Sequence, residues 1–264
     1  MAATLMTDQR PKTDSSDEPI IEMKNVAVSS QAFPDKAVVE GINWTVGRGE
    51  YWVIGGLHSS GKTDLLATTA GLLPPLSGSY LLFGNEMPIF EEHLLKERLR
   101  LGLVFESGQL LHNLTIRQNV ALPLRYHQPR AEAREITAML ELTGLHEVAN
   151  NLPPTVGRSW HKRAGLARAL VMKPEILLVD NPLNGLDPRH WQWWIDFLRQ
   201  LSAGHECMKQ QPLTLIMTAE DLRPWRNFGA HFAILQDGRF TSLGKHDDIA
   251  AENQPLVKEL LYEH

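Results

Sequence analysis

Apolar runs of strand length alternate with helical patterns along most of this chain. Four of the runs read as strands: Tyr51–Ile54, Leu101–Phe105, Ile176–Val179 and Leu213–Met217. Between them, strong helix formers and apolar residues at helical spacing predict helical structure from Thr115 to about Gly144 and from Ser159 to Met172. Because strands that alternate with helices favour parallel pairing, the pattern predicts an α/β domain with a mainly parallel sheet.

The two ends of the chain carry a different pattern. Short apolar segments at Ile20–Ser29 and Val38–Val46 predict a small antiparallel β lobe, and Asp237-Gly238 predicts the turn of a hairpin between His231–Leu235 and Arg239–Leu243. Residues 1–19 mix charged and polar side chains, so we expect a disordered tail there. We expect one domain over residues 20–264, with a helical lobe inserted at about 107–172.

A glycine-rich stretch after the Tyr51–Ile54 run has the spacing of a phosphate-binding loop. It reads Gly56-Leu57-His58-Ser59-Ser60-Gly61-Lys62-Thr63, and Asp64 follows it. In this spacing backbone N–H groups surround phosphate oxygens, Lys62 reaches the β- and γ-phosphates, and Thr63 ligates Mg²⁺. The dipole of the following helix adds to the attraction. The alternative is a glycine-rich turn before an ordinary helix, but the flanking strand and helix favour a site for MgATP.

Composition and charge narrow the functional classes. The formal net charge of −5 and the isoelectric point near 6.1 give no reason to expect nucleic acid as a partner. The single cysteine, Cys207, excludes an intrachain disulfide and indicates a reducing compartment. The longest apolar runs are far too short to span a bilayer, so we expect any membrane association to depend on a partner.

Taken together, these motifs resemble the nucleotide-binding subunit of ABC transporters from about Ile20 to the end of the chain. The resemblance rests on the phosphate loop, on Asp180 at a strand end, on the pair Leu186-Asp187, and on Lys162–Leu170, which is similar to the helix after the family's signature loop. It implies a P-loop NTPase (RecA-like) core that binds ATP and Mg²⁺, with Thr63 and Asp180 at the metal. It also implies a cytoplasmic position, on the inner face of the membrane, through an integral-membrane permease.

Within the family, the chain resembles the ATPases of MCE-type (Mla-like) lipid transporters. The similar segments are Arg98–Phe105, Leu114–Ile116, Asn119–Arg125 and Pro255–Leu261. This resemblance implies a lipid as the transported substrate. The wider family implies a groove around residues 107–117 that receives the permease. Leu110, Leu111 and Leu114 either supply apolar contacts in that groove or are buried in the chain's own core.

The chain departs from the family pattern at positions that carry chemistry. Glu106 replaces the glutamine after the third strand, and its carboxylate is a hard oxygen ligand suited to Mg²⁺. Asn181 replaces the catalytic glutamate, and an amide orients water but cannot accept its proton. Glu220 stands at the switch histidine and presents like charge to the γ-phosphate. These substitutions favour nucleotide binding over turnover.

Other candidate nucleotide contacts have two interpretations each. Gly157, Arg158 and Ser159 lie where the family signature has Ser-Gly-Gly, and Arg158 is either a bidentate phosphate contact or a solvated surface residue. Phe33 either stacks on the purine ring or packs in the core. Asp64 suits the positive end of a helix dipole, yet it brings negative charge near phosphate.

Three functions follow from the sequence as hypotheses. The first is an ATP-binding subunit of a lipid transporter with weak or absent hydrolysis. The second is an active ATPase in which Glu220 or Glu106 replaces the missing base, and the third is a non-catalytic regulatory or scaffold protein. In the resembling family two ATP-binding subunits pair head to tail, so we expect a homodimer or a heterodimer with a second such subunit.

Overall fold

The computed structural model describes residues 18–87, 95–128, 133–208, 210–228, 231–245 and 255–262. Its strands are β1 (Ile21–Ser29), β2 (Ala37–Val46), β3 (Tyr51–Gly55), β4 (Ser77–Leu82), β5 (Asn85–Glu86), β6 (Leu101–Val104), β7 (Ile176–Val179), β8 (Thr214–Ala219), β9 (His231–Gln236) and β10 (Arg239–Lys245). Its helices are α1 (Lys62–Thr69), α2 (Leu95–Arg98), α3 (Ile116–His127), α4 (Ala133–Leu142), α5 (Arg158–Leu170), α6 (Pro188–Ala203) and α7 (Pro255–Tyr262). Nearly all of the predicted tail, residues 1–17, lies outside the described residues.

The strands form one sheet in the order β5-β4-β1-β2-β10-β9-β3-β8-β7-β6. The block β9-β3-β8-β7-β6 is entirely parallel, whereas β1, β2, β4 and β5 pair antiparallel. Continuous burial of β3, β7 and β8 is what a sheet covered on both faces requires. The predicted α/β architecture with a parallel core and an antiparallel β lobe is confirmed.

The predicted hairpin forms between β9 and β10. Asp237 and Gly238 both have positive φ, 49° and 72°, the conformation of a two-residue turn that matches the twist of the strands. β10 then pairs in parallel with β2, so this hairpin joins the antiparallel lobe to the parallel block. The turn therefore follows from the local sequence, and the hairpin that it closes connects the antiparallel lobe to the parallel block.

The predicted helical stretch after Thr115 contains two helices, α3 and α4. Thr115 caps α3 through a reciprocal capping box with Gln118. Buried Asn119 donates its amide to the carbonyls of Leu111, Leu114 and Thr115, which fixes the loop before the helix. Helices α3, α4 and α5 all lie within the range 107–172, and the boundary of an inserted lobe there stays a prediction.

The carboxyl ends of the parallel strands meet at one edge of the sheet. Gly55 at the end of β3 pairs with Ala219 at the end of β8, and Val179 at the end of β7 pairs with both Val104 and Met217. The phosphate loop, the Glu106 loop, Asp180 and Glu220 directly follow these strands, so they converge at this edge. In open α/β sheets this edge is where ligands bind.

Candidate functional site

The phosphate loop leaves β3 and enters α1 with its lysine folded back over it. Lys62 is buried, and its Nζ donates to the carbonyl oxygens of Gly56 at 2.8 Å and Leu57 at 2.7 Å. Burial lowers the pKa of Lys62, while the carboxylates of Glu220, Asp180 and Glu106 act in the opposite direction. The loop thus places one cation among the acidic groups at this edge.

Two glycines permit the close turns of this loop. A Cβ at Gly56 would lie 2.5 Å from Ser60 Oγ, and one at Gly61, whose φ is +93°, would lie 2.7 Å from a Val39 methyl group. Ser59 also has a positive φ of 61°, a conformation that costs a non-glycine residue about 1–2 kcal/mol. The loop therefore has the tight, glycine-dependent backbone that a phosphate cradle needs, and ATP phosphates fit it.

The residues predicted to hold Mg²⁺ lie together. Thr63 Oγ1 donates to Asp180 Oδ2 at 2.8 Å, and Thr218 Oγ1 donates to Asp180 Oδ1 at 2.6 Å. Thr63, Asp180 and Glu106 also line one cavity of about 570 Å³. A hydroxyl and two carboxylates are the hard oxygen donors that Mg²⁺ prefers, so these residues fit the metal.

Glu106 is held by a residue that the sequence did not single out. Asn184 Nδ2 donates to Glu106 Oε1 at 2.7 Å, across 78 positions of sequence. Glu106 follows β6 and Asn184 follows β7, so the bond spans two adjacent loops of the sheet edge. It engages one oxygen of the carboxylate and orients the group toward the cavity that Thr63 and Asp180 line.

Asn181 and Glu220 line a second cavity, of about 770 Å³. Asn181 is buried, has a positive φ of 42°, and donates its backbone N–H to Thr218 Oγ1 at 3.0 Å. The structure therefore brings the two substituted catalytic positions together, and it places Glu106 with the metal residues instead.

Glu220 has a histidine neighbour from the phosphate loop. His58 Nδ1 lies 3.3 Å from Glu220 Oε1, and the His58 side chain is 91% exposed. A protonated His58 would offset the carboxylate charge that Glu220 brings to the site, although an exposed pair of this kind contributes little energy. An imidazole therefore lies beside Glu220, but it comes from the phosphate loop and not from the position after β8 where the family pattern has a histidine.

The signature segment begins α5. Gly157 is the N-cap and Arg158 the first helical residue, while Ser159 is partly exposed. Arg158 lies against the chain's own Gly185, since a Cβ there would be 2.6 Å from Arg158 Nη1. Arg158 also lines the cavity of Thr63 and Asp180. The structure thus places its guanidinium beside this chain's own metal residues, and a phosphate contact by Arg158 stays a prediction.

Two further candidate contacts have clear environments. Phe33 is 65% exposed in the loop before β2, so the alternative that it packs in the core is wrong, while stacking on a purine stays a prediction. Asp64 lies in the first turn of α1, where burial and then the charge of Asp180 raise its pKa. Asp64 is therefore a carboxyl group close enough to Asp180 to interact with its charge.

The three leucines predicted to face a permease separate into two environments. Leu110 is only 8% exposed and belongs to the main hydrophobic core, so its predicted place in a docking groove is wrong. Leu111 is 47% exposed and Leu114 is partly exposed. The polarity pattern did not distinguish them, because all three residues are leucines and only the packing of the folded chain separates buried from exposed ones.

Lys162 is the other functional residue that the sequence analysis missed. It lies on α5 at the same helical face as Leu166 and Leu170, and all three are buried. Its Nζ donates to the carbonyl oxygens of Asn181, Pro182 and Asn184. A lysine at i with leucines at i+4 and i+8 on one helix face was the available signal, because a charged residue on an apolar face requires partners.

Comparison with known proteins identifies the family of this arrangement. A family model described as ABC transporter matches residues 39–184. The methionine import ATP-binding protein MetN of Brucella abortus is 31% identical over 262 residues, covering 98% of this chain and 68% of that protein. A MetN of Lacticaseibacillus paracasei is 29% identical over 250 residues, covering 93% of this chain and 70% of that protein.

Solved structures show the same fold. A dimeric ATP-binding cassette in a post-hydrolysis state bound to ADP and Pi has a TM-score of 0.72 at 25% identity, covering 83% of this chain and 95% of the other. The cbiO1 protein of Clostridium perfringens, part of the ABC transporter complex cbiONQ, has a TM-score of 0.72 at 24% identity, covering 89% and 92%. In the described part of the chain, no helix is long and apolar enough to cross a membrane.

Proposed function

This chain belongs to the ABC transporter family, and we propose that it is an ATP-binding subunit whose own site binds MgATP tightly but hydrolyses it slowly. ATP-binding domains of this family bind ATP with Mg²⁺, work as dimers, and associate with integral-membrane permease subunits on the cytoplasmic side. One observation carries the proposal. Thr63 and Asp180 are joined at 2.8 Å beside a buried Lys62, whereas the residue that follows Asp180 is an amide.

The binding half of the proposal follows from charge and geometry. Lys62 and the loop N–H groups would hold the phosphates, and Thr63, Asp180 and Glu106 would hold Mg²⁺, which neutralises phosphate charge when bound. Buried Lys62 loses its bonds to the Gly56 and Leu57 carbonyls when it turns to phosphate, so binding exchanges neutral acceptors for anionic ones. The ammonium and an anionic phosphate attract each other through their full charges, which a neutral carbonyl does not offer.

The slow-hydrolysis half follows from what Asn181 lacks. A water that attacks the γ-phosphate must be oriented and must lose its proton, and the Asn181 amide provides only orientation. Glu220 lines the same cavity but repels the γ-phosphate unless His58 or a proton compensates it. Loss of a general base typically costs ~10²–10⁴ in rate, so the chain is expected to bind nucleotide for much longer than one catalytic cycle of an intact site.

Equilibrium binding of a labelled ATP analogue tests the binding half. Lys62→Ala should weaken MgATP binding by at least ~10-fold, since it removes a buried charge-assisted contact worth about 1.5–3 kcal/mol. Lys24→Ala, on the exposed side of the β lobe, is the matched control and should leave affinity unchanged. Equal affinity for wild type and Lys62→Ala would falsify the assignment of the phosphate loop.

A second function, an active ATPase with a substitute base, is favoured by one observation. Glu220 shares a cavity with Asn181, whereas Glu106 is bound by Asn184 and lies with the metal residues. Glu220 is therefore the better candidate for a base than Glu106. Phosphate release by the native complex distinguishes the two functions. An active ATPase with Glu220 as its base should turn over at the usual ~1–10³ s⁻¹, and Glu220→Gln should abolish that activity.

The substrate class that we propose differs from the lipid expected from the subfamily resemblance. The relatives compared above are named for methionine import, and they lend no support to the lipid substrate that the subfamily resemblance implied. We therefore propose a small polar solute such as an amino acid as the substrate class. Uptake of radiolabelled methionine by cells with and without the gene tests it, and unchanged uptake would contradict the proposal.

The permease-facing surface is proposed at the exposed leucines before α3. Leu111 lies in the loop that follows Glu106, next to partly exposed Leu114. A Leu111→Glu, Leu114→Glu double variant should abolish copurification with the permease while leaving MgATP affinity intact, because it places charge in an apolar contact. Leu122→Glu, an exposed leucine on α3, is the control. A complex that survives the double variant places the groove elsewhere.

A further inference from the structure

Lys162 occupies a position where its charge is completely enclosed by the chain. Its side chain is 2% exposed, and its Nζ donates to the carbonyl oxygens of Asn181 at 2.9 Å, Pro182 at 3.2 Å and Asn184 at 2.8 Å. An ammonium has three N–H donors, so these carbonyls use all of them. The loop after β7 is therefore wrapped around a cation that belongs to α5.

This loop makes two hydrogen bonds to residues of the nucleotide site, one from its backbone and one from a side chain. The N–H of Asn181 bonds Thr218, which in turn donates to Asp180, and the Asn184 amide bonds Glu106. Fixing the loop backbone therefore fixes the bond to Thr218 at one end and the Glu106 carboxylate at the other. The Glu106 carboxylate is a predicted metal ligand, so Lys162 is connected to the predicted metal residues through Asn184.

Helix α5 is attached to the Glu106 loop as well. A Cβ at Gly165 would lie 2.9 Å from Gly108 Cα, so the helix and the loop backbone touch. Arg168 donates to the carbonyls of Gly108 and Gln109, both at 2.8 Å. Helix α5 thus contacts both the loop after β6 and the loop after β7. Arg168 binds the first loop, and Lys162 binds the second.

We propose that Lys162 is a positioning residue that holds the loop Asn181–Asn184, and through Asn184 the Glu106 carboxylate, in the arrangement that receives Mg²⁺ with ATP. The proposal rests on the function proposed above and deepens it, since it assigns the metal-linked part of ATP affinity to a residue with no contact to nucleotide. Partners that orient metal ligands typically contribute 10–100-fold to metal affinity.

The test measures ATP affinity twice for each variant, once with Mg²⁺ and once with EDTA, using the full chain and a labelled ATP analogue. Lys162→Met should reduce the ratio between the two affinities by about 10–100-fold while leaving the EDTA affinity within about twofold. Lys162→Gln, which keeps an N–H donor, should recover part of the loss. Lys24→Met makes the same chemical change at an exposed site and should change neither affinity.

Asn184→Ala keeps the test decisive if Lys162→Met fails to fold. It removes the amide that bonds Glu106 but keeps the backbone carbonyl that Lys162 binds, so it should reproduce the loss of the Mg²⁺ effect. An unchanged Mg²⁺ effect in Asn184→Ala, or in a folded Lys162→Met, overturns the inference. Absence of ATP binding by the wild type would instead contradict the proposed function, so the two failures are distinguishable.

Discussion

The two halves of the nucleotide site differ in how far their chemistry is preserved. The phosphate half consists of Lys62, Thr63 and Asp180, which are held by hydrogen bonds within the chain and match the family pattern. The water half consists of Asn181 and Glu220, which line a separate cavity and stand where the family pattern has a glutamate and a histidine. Because different strands and loops supply the two halves, the side chains of one half can change without altering the backbone that positions the other.

Restoring the water half should give the largest effect. The double variant Asn181→Glu, Glu220→His returns a base and a donor, and phosphate release should rise by ~10²–10⁴-fold. Each single change should give much less, since Asn181→Glu alone adds a second carboxylate near Glu220 and so increases the negative charge that faces the γ-phosphate. Phosphate release is measured with the native partner present. A double variant that is no faster than the better single variant would contradict the claim that Asn181 and Glu220 together limit hydrolysis.

Damage to the phosphate half should give the next largest effect. Asp180→Asn keeps the shape of the side chain but removes the charge that accepts from Thr63 and Thr218. MgATP affinity should fall by about 10–100-fold, since hydrogen bonds to charged groups contribute about 1.5–3 kcal/mol each. Asp187→Asn, which changes an exposed N-cap of α6, is the control. Titration calorimetry that shows equal affinity for Asp180→Asn and wild type would refute the metal assignment.

The pH dependence of binding should sharpen the comparison further. Only the charged ammonium of Lys62 attracts phosphate, and burial lowers the pKa of Lys62 from its ordinary value. Metal-free ATP affinity should therefore begin to fall at a lower alkaline pH than an ordinary lysine near 10.4 would allow, by up to about tenfold per pH unit. Lys62→Arg should lack this decline because arginine stays protonated. Parallel pH profiles for the two proteins would exclude Lys62 as the titrating group.

The smallest effect is expected at the contact between the two halves. His58→Ala removes the imidazole beside Glu220, so MgATP affinity should fall by less than about fivefold, the range of an exposed ion pair. In the Glu220→Gln background the same change should have no effect, and an undiminished effect there would show that His58 acts on the nucleotide directly.

The sequence predicted the elements that local chemistry decides. The phosphate loop needs glycine at Gly56, where a Cβ would collide with Ser60 of the same loop, so this part of its spacing follows from residues close in sequence. The strands β3 and β7 read as continuous apolar runs, and Asp237-Gly238 fixes a turn through two adjacent positive φ angles. Asp187 likewise caps α6 through its own side chain. These features depend on neighbours within a few positions.

The tertiary structure decided what depends on residues far apart in the chain. Asn184 reaches Glu106 across 78 positions, and Lys162 reaches Asn184 across 22, because the sheet brings the loops after β6 and β7 side by side under α5. The same packing buries Leu110 and leaves its neighbour Leu111 exposed. A periodic pattern in the sequence shows which face of a helix or strand is apolar. The partner of a buried charge depends instead on which loops the chain topology brings together, so only the folded chain shows that partner.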